Sequence, residues 1–380
     1  AGFSSSSMGA ADHWSFDPNG LEAFVVVDRW RRGLAAGGLR FTRDVTLQEL
    51  ERLALTMTRK WAILDLPFGG AKLGIRGDPE GPDKEVALQE FGKAAADVMR
   101  SRIVTGPDLG TGRHDISVFY RAMGEDPYQN AADPLWRLGF HPTPRPRYAR
   151  FIKGMSEVVT GLAVTRAALA AWERLRTSEG PPTVSVQGFG SVGRAVAEEM
   201  ARRGARVLCI ADAQGYLRHP EGLAVEALAG GQPGIMDRSH LPADTEAGPR
   251  EAWMEWESDL LIPASIPDAI NRENVGKVKA KMIIEAANIP IPEDIEQDLH
   301  RRGVVVLPDF LVNGGAAATY GLLLVQEWSR EESLLREVFR RIVGATTDVV
   351  SRSIAEGRSP REVAVEMAEA RLTPPGSPLP

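Results

Sequence analysis

The sequence has little cysteine, since Cys209 is the only one in 380 residues. An internal disulfide is therefore impossible, and a chain without disulfides fits a reducing compartment, so we expect a cytoplasmic location. Cys209 lies within a short apolar run. We expect it to be a buried core side chain rather than a nucleophile.

Long apolar runs and an excess of basic residues are also absent. No apolar run approaches the roughly 18 residues needed to cross a bilayer, so we expect no membrane partner. The formal net charge of -6 argues against nucleic acid as the main partner, because phosphate binding needs a basic surface. The 6 histidines are scattered without ligand spacing, and we expect no metal site.

The chain does have enough apolar content for two sizeable cores, with 43% hydrophobic residues over its length. The small and polar residues before Met8 lack the charged start and apolar core of a signal peptide, so we expect the native start at Met8. Four prolines in residues 373–380 predict a loose tail.

A glycine-rich turn in the second half of the chain follows a short apolar run and precedes a predicted helix. Gly188 allows a sharp turn, Gly190 allows the backbone to approach a pyrophosphate, and Gly193 allows the helix to pack closely on the strand. The helix N-terminus, beginning with Ser191 and Val192, offers unpaired N–H groups to an anion. This order is typical of a dinucleotide site.

Asp212 extends this pattern. A second apolar run, Ala205–Ile210, precedes it, and it stands nineteen positions after Gly193. A carboxylate there would bind the two hydroxyls of an adenine ribose. Glycine turns are common, but the strand, helix and acid together favour a dinucleotide site. No Arg or Lys stands immediately after Asp212 to hold a 2′-phosphate, so we predict NAD rather than NADP.

A helix is predicted in the first half of the chain, over Thr46–Leu64, because apolar residues recur there at helical spacing. Thr46 and Glu49 form a predicted capping box. Lys60 lies on or beside the apolar face of this helix. A lysine there can bury its stem and extend its ammonium group to water, or it can face an anionic substrate.

Lys72 follows this helix in a stretch where three glycines surround one lysine. One interpretation is an ordinary glycine turn with an exposed lysine. The other is an enclosed lysine whose pKa is lowered by desolvation and by a neighbouring cation, which suits proton transfer near neutral pH. Lys60 and Lys72 together would suit an anionic substrate.

Asp108 ends a predicted strand in a Pro-Asp-x-Gly setting. An aspartate in such a turn commonly caps it with its own side chain. The local pattern does not distinguish this role from a catalytic one.

Several separated segments, read together, are more specific than any single motif. Over roughly residues 20 to 330, their order and spacing resemble the glutamate, leucine, phenylalanine and valine dehydrogenase family. The segments are Ala36–Phe41, Met57–Lys72, Thr105–Thr111, Leu261–Ser265, Glu285–Asn288 and Pro308–Gly315.

The resemblance implies catalytic roles for charged residues of the first half. Lys60 corresponds to the ammonium that holds the substrate α-carboxylate, and Lys72 to the lysine that activates water. Asp108 corresponds to the acid that shuttles the proton of the amino group. Gly38 belongs to the substrate-binding part of the same signature.

The resemblance also implies contacts with the nicotinamide end of the cofactor. Thr160 corresponds to the threonine that meets the carboxamide. Asn288 and Asn313 correspond to positions near the nicotinamide and its ribose.

Two parts of the chain depart from the glutamate-specific members. Those members have a lysine before Gly-Gly-Leu-Arg that pairs with the side-chain carboxylate; here that residue is Ala36, and the usual serine partner corresponds to Thr319. A buried γ-carboxylate without a counter-charge is costly, so we expect an apolar substrate side chain, although residues 215–315 are more similar to the glutamate branch. Residues 126–158, rich in Pro and Arg, do not match, and we expect a solvated loop without a role.

Strands alternating with helices over 183–310 predict a doubly wound sheet, with 216–258 as an insertion of loops and short helices. We expect an α/β fold of two domains. The first is a substrate, catalytic and oligomerisation domain over 1–155, completed by 331–380, and the second is a Rossmann-type dinucleotide-binding domain over 156–330. By resemblance, the active site lies in the cleft between them, and the protein is a homo-oligomer, either a hexamer or an octamer.

The predicted activity is the reversible, NAD-dependent oxidation of an L-amino acid with an apolar side chain to the 2-oxo acid and ammonia. Glutamate is an alternative substrate. The altered segment 126–158 motivates a second alternative, a non-catalytic regulatory subunit of a hetero-oligomeric dehydrogenase. A third is a dehydrogenase of another substrate class that shares only the nucleotide domain, which leaves the surroundings of Lys72 unexplained.

Overall fold

A computed structural model describes residues 3–6, 11–154, 158–175, 180–232 and 234–372. The predicted tail and the residues around Met8 lie outside this part of the chain. The two-domain α/β fold predicted from the sequence is confirmed. None of the helices in the described part of the chain has the length and apolar content needed to cross a membrane.

The chain divides into two compact units. The N-terminal unit holds the residues up to Arg150, together with Tyr320–Arg330 and 368–372, and the C-terminal unit holds Phe151–Thr319 and Glu331–Met367. The predicted boundaries, 1–155 with 331–380 against 156–330, stay a prediction. By contacts alone, residues 331–367 group with the C-terminal unit.

The N-terminal unit is built on a mixed sheet of six strands. The strands are β1 (Phe3–Ser6), β2 (Asp12–Phe16), β3 (Ala23–Val27), β4 (Ala35–Thr42), β5 (Gly69–Arg76) and β6 (Ile103–Pro107). Their order is β1-β2-β3-β5-β4-β6. The first three pair antiparallel and β3 pairs antiparallel with β5, whereas β4 pairs parallel with both β5 and β6.

Helices cover both faces of this sheet. Those that pack on it are α1 (Leu47–Ile63), α2 (Lys84–Met99) and α3 (Arg113–Ala122), and α4 (Pro127–Arg137) and α5 (Arg145–Gly154) follow in the chain. On one face, Leu39 and Leu73 pack with Phe91 of α2 and Phe119 of α3. On the other face α1 packs, with Leu50 in the core. This arrangement follows the alternation of side chains along a strand.

The C-terminal unit contains a sheet of seven strands. The strands are β7 (Thr183–Gln187), β8 (Arg206–Asp212), β9 (Gly215–Arg218), β10 (Glu246–Gly248), β11 (Leu260–Pro263), β12 (Met282–Ile284) and β13 (Val305–Leu307). Their order is β10-β9-β8-β7-β11-β12-β13. The five strands from β8 to β13 in this order are parallel, as expected for a doubly wound nucleotide-binding sheet.

Among the described residues, one helix of the second half precedes the first strand of this sheet in chain order, and four helices follow its last strand. The helices of this half are α6 (Val158–Leu175), α7 (Ser191–Arg202), α8 (Val225–Leu228), α9 (Glu293–Arg301), α10 (Asp309–Val312), α11 (Gly315–Val325), α12 (Glu331–Glu356) and α13 (Pro360–Leu372). Residues of β11 to β13 and α9 share one core, in which Leu261, Ile283 and Leu299 are fully buried.

Two helices, α4 and α5, occupy most of the described residues of the segment 126–158, so the predicted loop is wrong. Asp126 caps the first turn of α4, where its Oδ1 accepts a backbone N–H at 3.0 Å. Pro127 is favoured in that turn because it lacks an N–H that would have no helical partner. Beyond α4, the backbone N–H of Thr143 donates to Leu323 O at 2.8 Å. Pro127 therefore marks the start of a helix, and the prolines around Thr143 lie in a connection whose backbone is hydrogen-bonded to another part of the chain.

The predicted insertion over 216–258 also differs, because β9 and β10 extend the sheet: β9 pairs antiparallel with β8, and β10 pairs antiparallel with β9. Asp212 Oδ1 accepts the backbone N–H of Gln214 at 2.8 Å, and this bond closes the turn between β8 and β9. At Gly215, where φ is +137°, a Cβ would lie 2.4 Å from Gly248 O. The hairpin therefore depends on a local side-chain bond and a close backbone approach.

Candidate active site

Strand pairing brings the charged residues of the N-terminal unit together. Leu39 of β4 pairs with Leu73 of β5, and the end of β6 lies on the other side of β4. Both leucines face the core under α2 and α3. Their neighbours Arg40 and Lys72 therefore face the α1 side, close to Asp108, which directly follows β6.

One carboxylate oxygen accepts from two cations at this point. Asp108 Oδ2 lies 2.8 Å from Lys72 Nζ and 2.9 Å from Arg40 Nε. Arg40 also pairs through Nη1 with Glu49. Lys72 is 2% exposed and Arg40 is 3% exposed. Two cations and two carboxylates therefore form a network without net charge in a place that water scarcely reaches.

The surroundings shift the pKa of Lys72 and of Asp108 downward for different reasons. Burial lowers the pKa of the Lys72 ammonium, and Arg40 lowers it further against the opposing effect of Asp108. Burial alone would raise the pKa of Asp108, but Lys72 and Arg40 outweigh it and hold that pKa below its usual range. Lys72 thus gives up a proton more readily than an ordinary lysine, beside a carboxylate that stays ionised.

A neighbouring turn fixes Asp108 in place. Its backbone N–H donates to Thr111 Oγ1 at 3.0 Å, and that hydroxyl donates to Leu39 O at 2.7 Å. Thr111 therefore supplies the side-chain bond that closes this turn, while the carboxylate of Asp108 faces the cations. A Cβ on Gly38 would lie 2.8 Å from Asp108 Cβ, so a side chain there would displace the carboxylate.

Lys60 lies near the end of α1 and is 4% exposed, so its ammonium lies largely away from bulk water. Helix α1 approaches β5 closely. Gly70 N donates to Thr58 Oγ1 at 3.0 Å, and a Cβ on Gly70 would lie 2.1 Å from Ala54 O. The two predicted substrate lysines, Lys60 and Lys72, therefore belong to elements in direct contact.

Neither Arg40 nor Glu49 is predicted from the sequence to be functional. Half of the predicted capping box is present, because Thr46 Oγ1 accepts the N–H of Glu49 at 3.2 Å. The Glu49 carboxylate, however, pairs with Arg40. The available signal was a single charged residue between the apolar Leu39 and Phe41 of a strand, which implies a buried and therefore paired cation.

Replacing Arg40 with lysine should lower kcat by about tenfold or more, since a lysine point charge cannot reproduce the guanidinium fork that bridges Asp108 and Glu49. Steady-state kinetics of the oxidation predicted from the sequence measure this effect. Arg43→Lys is the control, because Arg43 is an exposed partner of Asp78, and its kcat should stay unchanged. A kcat for Arg40→Lys equal to that of the unaltered protein would contradict a role for Arg40.

The glycine turn of the C-terminal unit follows β7, which lies at the topological switch point of the sheet: β8 is its neighbour on one side and β11 on the other. Ligands of doubly wound sheets bind at this point. Gly188 has φ +97°, and a Cβ there would lie 2.9 Å from Ser265 Cβ. A Cβ on Gly193 would lie 2.0 Å from Gly188 O, so glycine allows α7 to pack on the turn.

The start of α7 fits an anion. Gly190 is its N-cap, and a Cβ on Gly190 would meet no described heavy atom within 4 Å. The backbone N–H groups of Ser191, Val192 and Gly193 belong to the first turn and have no partner within the helix. Open space beside unpaired donors matches what the pyrophosphate of a dinucleotide requires.

Asp212 has a partner that the sequence did not predict. Its side chain is 0% exposed, and its two oxygens accept from Arg238 Nη1 and Nη2, each at 2.8 Å. The backbone N–H groups of Gln214 and Met236 donate to the same carboxylate at 2.8 and 2.7 Å. Burial alone would raise the pKa of Asp212, but these donors hold it below its usual value.

The residues predicted near the nicotinamide, Thr160, Asn288 and Asn313, all lie in the C-terminal unit and make hydrogen bonds there. Asn313 Nδ2 donates to Asn288 Oδ1 at 3.1 Å, and Thr160 Oγ1 accepts the N–H of Ala316 at 3.2 Å. The buried Oδ1 of Asn313 and Oγ1 of Thr319 have no hydrogen-bond partner among the described residues. A carboxamide or a ribose hydroxyl would satisfy the Asn313 oxygen.

Comparison with known protein families matches both halves of the chain. Residues 12–125 match the Glu/Leu/Phe/Val dehydrogenase dimerisation domain. Residues 154–373 match the Glutamate/Leucine/Phenylalanine/Valine dehydrogenase family.

Individual relatives agree with the family match. Glutamate dehydrogenase of Thermotoga maritima is 33% identical over 300 residues, which span 76% of this chain and 69% of that protein. NADP-specific glutamate dehydrogenase A1 of Halobacterium salinarum is 30% identical, across 83% of this chain and 78% of its own length. The hetero-hexameric glutamate dehydrogenase from Thermus thermophilus, in its Leu-bound form, has a TM-score of 0.76 at 26% identity, covering 95% of this chain and 88% of that one.

Proposed function

Because this chain belongs to the glutamate/leucine/phenylalanine/valine dehydrogenase family, we propose that it catalyses the reversible oxidative deamination of an L-amino acid to a 2-oxo acid and ammonia. It is an amino-acid dehydrogenase that acts on CH–NH2 donors with a nicotinamide nucleotide. The observation that supports the proposed catalytic roles is the contact of Lys72 and Arg40 with one oxygen of Asp108.

Three charged residues of the N-terminal unit, Lys60, Lys72 and Asp108, suit separate steps of the proposed reaction. A bound nicotinamide nucleotide supplies the acceptor for the hydride of Cα. Lys60 pairs with the substrate α-carboxylate. Lys72, with its lowered pKa, accepts a proton from the water that attacks the iminium carbon. Asp108, which is ionised before the reaction, takes the proton from the substrate nitrogen transiently and returns it as ammonia leaves.

Donors and acceptors of the C-terminal unit would hold the nucleotide. The first turn of α7 would bind the pyrophosphate, and Asn313 and Thr160 would contact the nicotinamide end. We propose NAD as a cofactor, because a carboxylate, Asp212, ends the second strand of the fingerprint.

We propose a substrate with an apolar side chain. Ala36, the position where glutamate-specific relatives have a lysine, is 5% exposed and carries no charge. The alternative is glutamate, which the names of the sequence relatives favour. A buried γ-carboxylate would then need a cation from elsewhere in the chain.

Incubation of the purified protein with NAD and a panel of amino acids tests this proposal. NADH should form with at least one of them, and leucine, valine or phenylalanine should exceed glutamate in kcat/KM. If the protein binds the dinucleotide but forms neither NADH nor NADPH with any amino acid of the panel, the proposed reaction is refuted.

Replacing Ala36 with lysine should raise kcat/KM for glutamate relative to leucine by about tenfold or more, because the new ammonium neutralises the γ-carboxylate. Ala36→Met is the matched control, with similar length and no charge, and it should not favour glutamate. If Ala36→Lys leaves the preference between glutamate and leucine unchanged, a residue at another position determines which substrate side chain is accepted.

A non-catalytic subunit of a hetero-oligomer is the second candidate. The observation that favours it is the structural similarity to a hetero-hexameric dehydrogenase. We propose instead a cytoplasmic homo-oligomer, a hexamer or an octamer, since the chain has both the family's dimerisation domain and the charged residues that catalysis needs. Turnover by the chain purified alone excludes the non-catalytic role.

A further inference from the structure

The acid at the end of β8 is covered by a segment from the insertion. Residues Phe189 and Gly234 form an isolated β-bridge, so the segment 234–238 runs beside the glycine turn. Arg238 then pairs with both oxygens of Asp212, from 26 positions further along the chain. A cation therefore stands beside the proposed ribose site even though none follows Asp212 directly in sequence.

The ion pair weakens both effects by which an acid at this position favours NAD over NADP, namely binding of the ribose hydroxyls and repulsion of the 2′-phosphate. A carboxylate offers about four lone-pair sites, and Asp212 uses them on Arg238 and on two backbone N–H groups. Ribose hydroxyls must therefore compete with Arg238 for that acceptor. The guanidinium also cancels the negative charge that would repel a 2′-phosphate.

Arg238 can in addition contact a phosphate. Its side chain is 25% exposed, whereas that of Asp212 is fully covered, so the cation is the member of the pair that faces solvent. Its Nη atoms also donate to Gln214 Oε1, Met236 O and Gly215 O, so a 2′-phosphate would have to displace one of these contacts or meet Nε. The guanidinium stays charged at all physiological pH values and attracts the phosphate in either case.

We propose that Arg238 is a specificity-determining residue that makes the adenine-ribose site accept NADP about as readily as NAD. This inference rests on the proposed dinucleotide site. It predicts that the dissociation constants of the two nucleotides differ by less than about tenfold in the unaltered protein.

Titration of the intact protein with NADH and with NADPH, followed by calorimetry in the absence of amino acid, tests the inference. Arg238→Gln leaves Asp212 with its backbone donors but without a counter-charge, and should shift the ratio of the two dissociation constants toward NADH by about tenfold or more. Asp212→Asn leaves the cation without its acid and should shift the ratio toward NADPH. Opposite shifts from two neighbouring residues are not expected from a general loss of structure.

Arg218→Gln is the matched control. Arg218 is also 25% exposed and pairs with a carboxylate, that of Glu246, on the adjacent hairpin. Its replacement should leave the ratio unchanged, and thermal melting verifies that each variant is folded.

The inference is overturned if Arg238→Gln weakens both nucleotides equally or leaves the ratio unchanged. It is also overturned if the unaltered protein discriminates strongly against NADPH. Binding of neither nucleotide would refute the dinucleotide site itself, whereas binding without amino-acid turnover would refute only the proposed reaction.

Discussion

Replacing Lys72 with alanine should lower kcat by a factor of about 10² or more, while the affinity for NAD stays nearly unchanged. The loss is large because Lys72 is buried beside Arg40 and has a lowered pKa, which are the conditions for accepting a proton from water. Affinity should survive because the glycine turn, α7 and Asp212 belong to the C-terminal unit. Steady-state kinetics and calorimetric titration with NAD measure the two effects separately.

Two further variants separate charge from proton transfer. Lys72→Arg keeps a cation beside Asp108 but cannot deprotonate, so its kcat should also collapse. Lys93→Ala removes an exposed lysine of α2 and should change nothing. Retention of turnover by Lys72→Ala, or a loss of NAD affinity as large as the loss of kcat, would contradict the assignment.

Replacing Asp108 with asparagine should also lower kcat by about 10² or more, because an amide cannot take the proton from the substrate nitrogen. The variant should in addition lose about 3–5 kcal/mol of unfolding free energy, since Lys72 and Arg40 remain as buried cations around a neutral group. Urea unfolding at neutral pH measures the second effect. Unaltered stability would mean that the network contributes little to the fold.

The same residue predicts how stability depends on pH. The pKa of Asp108 is lower in the folded protein than its ordinary value of 3.8. Its contribution to stability is therefore complete above 3.8 and is lost as the pH falls below that value toward the folded pKa. The unfolding free energy of the unaltered protein should thus fall more steeply in acid than that of Asp108→Asn. Parallel curves for the two proteins would show that another group controls acid unfolding.

Local patterns were sufficient for much of the fold and for part of the site. The three glycines and the alternation of strands and helices specified the second sheet, because close packing and turn geometry act over a few residues. The helix that carries Lys60 was equally apparent from its apolar spacing. The segment 126–158 was not, because its prolines and arginines are typical of loops when their packing partners are unknown.

Long-range ion pairs were not accessible from the sequence. Arg40 meets Asp108 across 68 positions, and Arg238 meets Asp212 across 26. The cation beside Asp212 in space is therefore not beside it in the chain. Glu49 was assigned to a helix cap because that role is local, whereas its partner lies on a different element. Charge pairing of this kind depends on strand register and on turns that composition does not fix.

The most direct test of the central claim measures the products of a single reaction mixture. With NAD and a ¹⁵N-labelled amino acid from the panel, the unaltered protein should form NADH, 2-oxo acid and labelled ammonia in equal amounts. In the initial phase of the reaction, Lys72→Ala should form all three more slowly by a factor of about 10² or more. NADH formed without labelled ammonia, or equal initial rates for the two proteins, would contradict oxidative deamination assisted by Lys72.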